Sequence, residues 1–478
     1  MRPLEIWMTA LCLPPTLWLL IANSPLAGIW RFFAFCAAIA MVAHVLLEGP
    51  HWQLIPIYLA VLLLLFAAFR QPVRLVRTFA VALLLLLACG ATLVALLPMF
   101  HLAKPTGPYP VGTRTEFLID NARTETHPGA RPGPREVVLQ LWYPSATSQG
   151  KHAMYRRWRE TNLRSSYQAV LPVDSLQDAP VAEGKFPVIL FNHAWRGFRN
   201  RSTFLMQDLA SHGFVVVSVA HSWNAATVEL HDGYIADGRN EEDIGNFSAS
   251  PPAPLDHRLT IAEAELKIQM ADNRFALDKL EAMTKDPASP YAGRLDLTRV
   301  GTIGHSFGGA TAIEMAKEDP RVLSALGLDG DVYGLAATEG VPKPVMMIEA
   351  DAENIIRQWV NSPDPGTRIM AQMDAGIRKS LQVTFDRYGG FMATVRGLDH
   401  ESFTDKGYFS PFRFLSGVGD MPEQRAGQII NQLSVAFFNQ TLKGEPQPLL
   451  QQDQHQIPEV TIQVYRPPNA PAQTARQQ

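Results

Sequence analysis

Cysteine is scarce in this chain, with three in 478 residues. Three thiols cannot build a disulfide framework or a four-cysteine zinc site. A basic excess is lacking as well: 42 Lys and Arg stand against 45 Asp and Glu, a formal net charge of −3. A nucleic-acid binder needs cations to meet phosphates, so that class is excluded. Charge of either sign is short, at 18% of residues, where soluble domains carry about 25%. Hydrophobic residues reach 47%, which excludes a disordered chain. The length allows two or three domains' worth of core.

The charge deficit is local. Residues 1–100 hold seven charged side chains: Arg2, Glu5, Arg31, Glu48, Arg70, Arg74 and Arg77. That segment nets +3 and the remainder −6, so the near-neutral total averages two different materials. The remaining 378 residues carry 80 charges, about 21%, close to the usual soluble value. A bilayer span needs about 20 apolar residues. Charge-free stretches of that order predict four transmembrane helices, at 4–22, 29–47, 53–69 and 78–99. Pro14 and Pro15 interrupt the first, while leucine runs mark the last two. A cleaved signal peptide would explain one such stretch, not four. Buried soluble helices would show a polar face, which the leucine runs lack.

Arg70, Arg74 and Arg77 cluster in the short loop before the fourth helix. The positive-inside rule places that loop in the cytoplasm. One further crossing then puts everything after residue 100 on the non-cytoplasmic side of a multi-pass membrane protein. In a bacterium this is the periplasmic face of the inner membrane. All three cysteines fall in the membrane segments, and a thiol-free exported part suits an oxidising compartment.

The expected organisation is a transmembrane module at 1–103, a globular domain at 104–445 and a loosely ordered Gln/Pro-rich tail at 446–478. Strand patterns fall at 115–119, 136–143, 187–192, 214–220, 299–303, 325–328, 345–349 and 392–396. Helical patterns fall at 201–212, 260–283, 307–317 and 423–442. The later strands are continuous apolar runs, as in parallel strands buried on both faces. The alternation predicts an α/β fold with a mostly parallel sheet. Segments 150–185 and 222–258 read as loops or insertions.

Gly304-His305-Ser306-Phe307-Gly308 is a Gly-x-Ser-x-Gly motif between an apolar strand and a helix of small residues. That context is the signature of a nucleophile on a sharp strand-to-helix turn. Glycines two residues either side avoid the crossing backbone, and Gly309 lets the helix pack close. The Phe307 N–H at the helix start is the expected oxyanion donor. A structural glycine turn is the bland alternative; a phosphate loop is disfavoured because no Gly-Lys-Ser/Thr follows.

Such a serine needs a base and a group to orient it. His400 follows a late strand, 392–396, and Gly397, the place expected for the histidine in this chain order. His305, inside the elbow, is expected to point away from the pocket. The other exported histidines precede Ser306 or lie in the tail. Two aspartates compete as the acid. Asp329 ends the strand after the elbow helix, and Asp351 ends the next. The pattern alone leaves them nearly even.

These residues carry a family resemblance. Residues 106–444 resemble the platelet-activating factor acetylhydrolases of the plasma and intracellular type II kind. The matching segments are Gly107-Pro108-Tyr109-Pro110-Val111-Gly112, Leu141-Trp142-Tyr143-Pro144, Val188-Ile189-Leu190-Phe191-Asn192-His193 and Leu209-Ala210-Ser211-His212-Gly213-Phe214. The elbow, Leu328-Asp329-Gly330 and His400-Glu401-Ser402-Phe403 complete the set. The resemblance implies an α/β-hydrolase fold and a calcium-independent serine esterase acting on phospholipids with short or oxidised sn-2 acyl chains. It implies no metal and no cofactor. It favours Asp329 as the acid and the Trp195 N–H as the second oxyanion donor. The family's usual His-Gly-x-Gly loop here reads His193-Ala194-Trp195-Arg196-Gly197, and Trp195 is placed to narrow the acyl pocket. The four-helix module lies outside the resemblance.

The expected function is thus a membrane-anchored serine esterase on lipid esters, with the lipid ester and membrane lipids as partners and no nucleic acid. One alternative is a general carboxylesterase, or a dienelactone-hydrolase-like enzyme, on soluble esters. The other is a non-catalytic membrane receptor with a hydrolase fold.

Overall fold

The computed structural model describes residues 1–24, 26–69, 75–127, 129–240, 254–351, 359–451 and 457–467. Two compact units emerge. The first joins Met1–His101 with Met154–Pro172 and Gly407–Ser416; the second comprises Leu102–Ala153, Val173–Lys406 and Gly417–Gln478.

The first unit is built on helices α1 (Pro3–Ala22), α2 (Ile29–Leu47), α3 (Ile55–Phe69) and α4 (Val76–Leu96). Each is long and apolar enough to cross a membrane, α3 together with the 3-10 turn at Trp52–Leu54. The four helices fall where the apolar stretches predict helices, with the fourth at Val76–Leu96 rather than 78–99. Pro14 and Pro15 lie inside α1 without ending it. The inner faces are rich in small residues: Ala34, Ala37 and Ala40 on α2, Ala60, Ala67 and Ala68 on α3, Ala80 and Gly90 on α4. Small residues let helix backbones approach closely. The outer faces are apolar as well, with Ile21, Leu46, Leu47, Phe69 and Leu85 exposed. Arg70 and Arg74 lie outside the described residues, and Arg77 is in the first turn of α4.

Two segments inside the 104–445 stretch fold into this unit. Phe100 meets Tyr155 edge-on at 5.3 Å and Phe409 at 4.9 Å. The Trp52 indole N–H donates to the Arg164 carbonyl at 2.8 Å. Sequence pattern alone does not reveal such long-range docking.

The second unit is an 11-stranded sheet in the order β13-β12-β11-β10-β9-β5-β6-β2-β1-β4-β3. Its strands are β1 (Val111–Thr124), β2 (Pro134–Pro144), β3 (His152–Met154), β4 (Pro172–Gln177), β5 (Phe186–Asn192) and β6 (Val215–Ala220). After a small hairpin, β7 (Val228–Glu229) with β8 (Ile235–Ala236), come β9 (Leu295–His305), β10 (Val322–Leu328), β11 (Val345–Ala350), β12 (Gly390–Val395) and β13 (Val460–Tyr465). The strands from β6 through β12 in that order run parallel. Antiparallel β2 and β13 flank them. Every residue of β5, β6 and β11 is buried, which is why these strands read as continuous apolar runs.

Successive residues of β9 face opposite layers. Val300 joins a core with Ala276 and Leu280 of α6 (Leu255–Lys285) and Ile313 of α7 (Phe307–Glu318). A Cβ on Gly301 would meet Phe438 of the helix Glu423–Leu442 on the other side. From β5 the chain winds to β6 on one side, and later from β9 to β10 on the other. The β5/β9 boundary is therefore the topological switch point, where open α/β sheets bind ligands.

Three features depart from expectation. The helix Pro365–Tyr388 was not anticipated, although Asp364 caps it by accepting the Thr367 N–H at 2.7 Å and Gly389 follows it at φ 78°. Short strands and 3-10 turns occupy 150–185, and the β7–β8 hairpin lies within 222–258; residues 241–253 are outside the description. Val460–Tyr465, in the segment expected to be loosely ordered, adds antiparallel to β12 as β13. Its alternating Val460, Ile462 and Val464 is a strand signal that the surrounding glutamines and prolines masked. His455 and the residues after 467 fall outside the description.

Candidate active site

β9 ends at His305, α7 begins at Phe307, and Ser306 makes the turn between them with φ 56° and ψ −124°. A non-glycine residue at positive φ costs about 1–3 kcal/mol and persists only when its surroundings enforce it. The enforcement is visible. A Cβ on Gly304 would run into the Gly308 carbonyl, and one on Gly308 into the Asn192 carbonyl of β5. A Cβ on Gly309 would sit 2.9 Å from the Gly330 Cα. The Ser306 N–H donates to the Leu328 carbonyl at 3.0 Å, which ties the turn to β10.

Asp329, just past β10, also takes a positive φ of 47°. This turn aims its carboxylate at His400: Nδ1 lies 2.6 Å from Oδ2. The other oxygen accepts the Ala350 N–H at 2.9 Å. Burial pushes the Asp329 pKa up, but the His400 hydrogen bond and charge and the Ala350 N–H outweigh it, and the net direction is down. For His400 burial acts downward, while the hydrogen bond and charge of Asp329 carry the pKa above 6.5. Asp351, the competing acid, is exposed, and its N–H donates to the Val395 carbonyl at 3.1 Å. The structure brings Asp329, not Asp351, to His400.

Ser306, Asp329 and His400 line one cavity of about 550 Å³. Its walls include Trp195, Phe307, Tyr333, Met370, Met373 and Ile377. The Trp195 and Phe307 rings meet edge-on at 5.1 Å. Trp195 sits in the loop after β5, at the switch point. There Arg196 takes φ 52°, so the loop makes a left-handed turn without the family's glycine at that position. The helix 365–388 supplies the methionines and Ile377, so the missed helix is also a missed wall.

Two further residues were misjudged or missed. His305 does not point away from the site. It lines the cavity, its Nε2 donates to the His400 carbonyl at 2.8 Å, and the rings lie 4.7 Å apart. Burial, then the His400 charge, pushes its pKa down to about 3, so it stays neutral. The close return of the 400 loop over the elbow, which only the fold creates, turns it inward. Glu349 also lines the cavity, 3.3 Å from the Arg378 guanidinium, with burial pushing its pKa up to about 7. It was passed over because it sits inside an apolar run. A second His–Asp pair, His221 and Asp272 at 3.1 Å, lies outside the cavity lining. Through Asn192 and Asn273 it braces the end of β5.

The profile of the family described as platelet-activating factor acetylhydrolase, isoform II, matches residues 98–248 and 288–456. The chain belongs to this family. A platelet-activating factor acetylhydrolase of Cavia porcellus is 26% identical over 411 residues, 75% of this chain and 83% of that one. A probable 1-alkyl-2-acetylglycerophosphocholine esterase of Arthroderma benhamiae is 25% identical over 282 residues, 58% of this chain and 66% of that one. Among solved structures, a ferulic acid esterase from Streptomyces cinnamoneus matches with a TM-score of 0.60 at 27% identity, covering 76% of this chain and 99% of that one. The chain is an ester hydrolase of the acetylhydrolase family, with an α/β-hydrolase fold. Residues 1–97, including the four apolar helices, precede the family match.

Proposed function

We propose that this chain is a membrane-anchored serine esterase in which Ser306 is the nucleophile, His400 the base and Asp329 the orienting acid. The carrying observation is the 2.6 Å contact between His400 Nδ1 and Asp329 Oδ2 in the cavity that also holds the strained Ser306 turn. With Nδ1–H held by Asp329, the Nε2 lone pair of His400 is the basic site. It takes the Ser306 proton as the oxygen attacks an ester carbonyl. The Phe307 and Trp195 N–H groups receive the oxyanion. The tetrahedral intermediate collapses, imidazolium returns the proton to the leaving alcohol, and an acyl-serine remains. Water, deprotonated by the same imidazole, releases the acid and restores Ser306.

Lipid esters with a short sn-2 acyl group are the substrate class. The family and its relatives' names support this reading, as does the apolar wall of Trp195, Tyr333 and the methionines. The four helices cross the bilayer, and their apolar outer faces face lipid. The arginines at 70, 74 and 77 support a cytoplasmic loop before α4, and with it a hydrolase on the non-cytoplasmic side. A second reading, a soluble aromatic ester as substrate, is favoured by the solved ferulic acid esterase and the aromatic lining.

Labelling of the full-length protein by a fluorophosphonate, with Ser306→Ala as control, tests the mechanism. Wild type takes the label and Ser306→Ala does not, while its ester turnover falls roughly 10⁴-fold or more. Unchanged turnover in the variant refutes the assignment. Comparing kcat/KM for a 2-acetyl glycerophospholipid and a feruloyl ester separates the two substrate readings.

A further inference from the structure

Five of the helical unit's polar side chains meet at one place. Arg2 and Glu5 stand at the start of α1, His44 and Glu48 at the end of α2, and His51 in the connection to α3. Glu5, His44 and His51 are all buried. The Glu5 Oε1 atom is the hub, 3.0 Å from His51 Nε2 and 3.7 Å from His44 Nε2. Glu48 Oε2 lies 3.7 Å from His44 Nε2, buried and without a hydrogen-bond partner.

Both imidazoles are held from behind. His44 Nδ1 meets the Tyr58 hydroxyl at 3.1 Å. His51 Nδ1 meets Gln53 Oε1 at 3.0 Å. The Gln53 amide is oriented in turn, since its Nε2 donates to the Leu97 carbonyl at 3.2 Å. Gln53 Oε1 must therefore accept from His51 Nδ1–H, which leaves a lone pair on Nε2. That lone pair faces the Glu5 carboxylate oxygen, itself an acceptor. Two acceptors at this distance need a positive charge between them, either a proton or a metal ion. With neutral histidines the cluster also sets two carboxylates against one guanidinium, an uncompensated buried negative charge.

We propose that Glu5, His44, His51 and Glu48 bind one divalent transition-metal ion of the zinc class. Zinc bonds to imidazole and carboxylate are about 2.0–2.2 Å, so ligand atoms in a tetrahedral shell stand about 3.3 Å apart. Glu5 Oε1 stands 3.0 and 3.7 Å from the two imidazole nitrogens, near that edge; Glu48 Oε2 is 3.7 Å from His44 Nε2 and outside the three-residue group, so it must swing in to complete the shell. Two imidazoles with two carboxylates suit zinc better than calcium or magnesium, which take oxygen ligands. Outer hydrogen bonds that orient ligating histidines through their second nitrogen are the usual support of such sites. The Arg2 guanidinium marks the cation position: Nε donates to Glu5 Oε1 at 2.7 Å, and Nη2 lies 3.1 Å from His44 Nε2. On metal binding it releases His44 and keeps its bonds to the Glu48 and Gly49 carbonyls. The ion then ties α1, α2 and the α2–α3 connection together, a structural clamp away from the ester chemistry.

The test uses the full-length protein in detergent, purified without a histidine tag, stripped with chelator and loaded with Zn²⁺ or Co²⁺. About one zinc per chain is expected, with the visible d–d bands of four-coordinate cobalt and a thermal midpoint that rises with added zinc. His51→Gln and Glu48→Gln lower zinc affinity, and Tyr58→Phe weakens it by roughly 10–100-fold. Wild-type protein that takes up no stoichiometric zinc and shows no cobalt bands overturns the site, whatever the variants do. That result would assign the buried charge to a proton on a histidine. Variants that fold and bind zinc like wild type also overturn it. Metal content is read without turnover, so failure here is distinct from failure of the esterase reading.

Discussion

The two units use polar groups in opposite economies. Among the described residues, the four apolar helices and the α2–α3 connection concentrate their buried charge in one cluster at one end of the bundle, around Glu5, His44 and His51. Elsewhere its packing is small-residue contact among Ala34, Ala37, Ala60 and Gly90. The hydrolase unit spreads its charge pairs along the sheet ends, as in the buried Arg135–Asp272–His221 group beside β5 and the partly exposed Asp329–His400 pair beyond β10. The difference follows from solvent. A four-helix unit satisfies its backbone internally and needs side-chain polarity only where elements end. A sheet with loops on its rim must pair many polar groups there, and chemistry can be assembled from them. Substitutions in each unit should therefore fail in different ways.

The largest expected contrast is within the hydrolase site. Asp329→Asn should lower kcat/KM by roughly 10⁴-fold, because the asparagine cannot hold the imidazole tautomer or its charge. Asp351→Asn should stay within a few-fold, since Asp351 is exposed and it is Asp329 that holds the His400 ring. A larger loss at Asp351, measured on the same ester, would reverse the choice of acid.

Next is a pair of glycines, one from each unit. A Cβ on Gly308 strikes backbone, the Asn192 carbonyl, which cannot yield without moving β5. Gly308→Ala should cost about 3 kcal/mol of stability, read as a lowered denaturation midpoint, with loss of activity. A Cβ on Gly90 strikes Ile57 near its branch point, in a fully buried side chain, so α3 and α4 must move slightly apart. Gly90→Ala should cost about 1–2 kcal/mol, because the gain in helix propensity offsets only part of the repacking. Equal penalties would break the contrast.

A smaller effect is graded by pH. Asp329 raises the His400 pKa above 6.5, and the base must be neutral to act. kcat/KM should fall with acid, about tenfold per pH unit, below a midpoint raised from the ordinary histidine value. Asp329→Asn removes the group that raises the pKa, so the residual activity should titrate at lower pH. A midpoint that does not move would separate the histidine from Asp329. The linked stability runs the opposite way with pH: the imidazolium–carboxylate contribution is full below the unfolded histidine pKa and fades as pH rises through the folded one.

Legibility in the sequence followed the range of the physics. The four apolar helices were readable because length and charge are local properties. The elbow was readable because Gly304, Ser306, Gly308 and Gly309 must sit side by side in the chain for the turn to close. The helix 365–388 was not, although its Asp-Pro start and Gly389 stop were present, because its mixed polar face lacked a strong apolar run. β13 was hidden by its glutamine-rich neighbours until β12 supplied a partner.

The sequence by itself determined the division into an apolar helical quarter and an α/β esterase, and it named Ser306 and His400. The division follows from composition and periodicity, Ser306 from one contiguous motif, His400 from its place after the late strand, and the esterase reading from the family resemblance. Tertiary structure set Asp329 against His400, as the family resemblance implied and the pattern alone left open; it alone turned His305 toward His400, brought Glu349 to the cavity and gathered Glu5, His44 and His51. Each depends on where a side chain lands after two or more elements have packed, a distance that spacing along the chain does not encode.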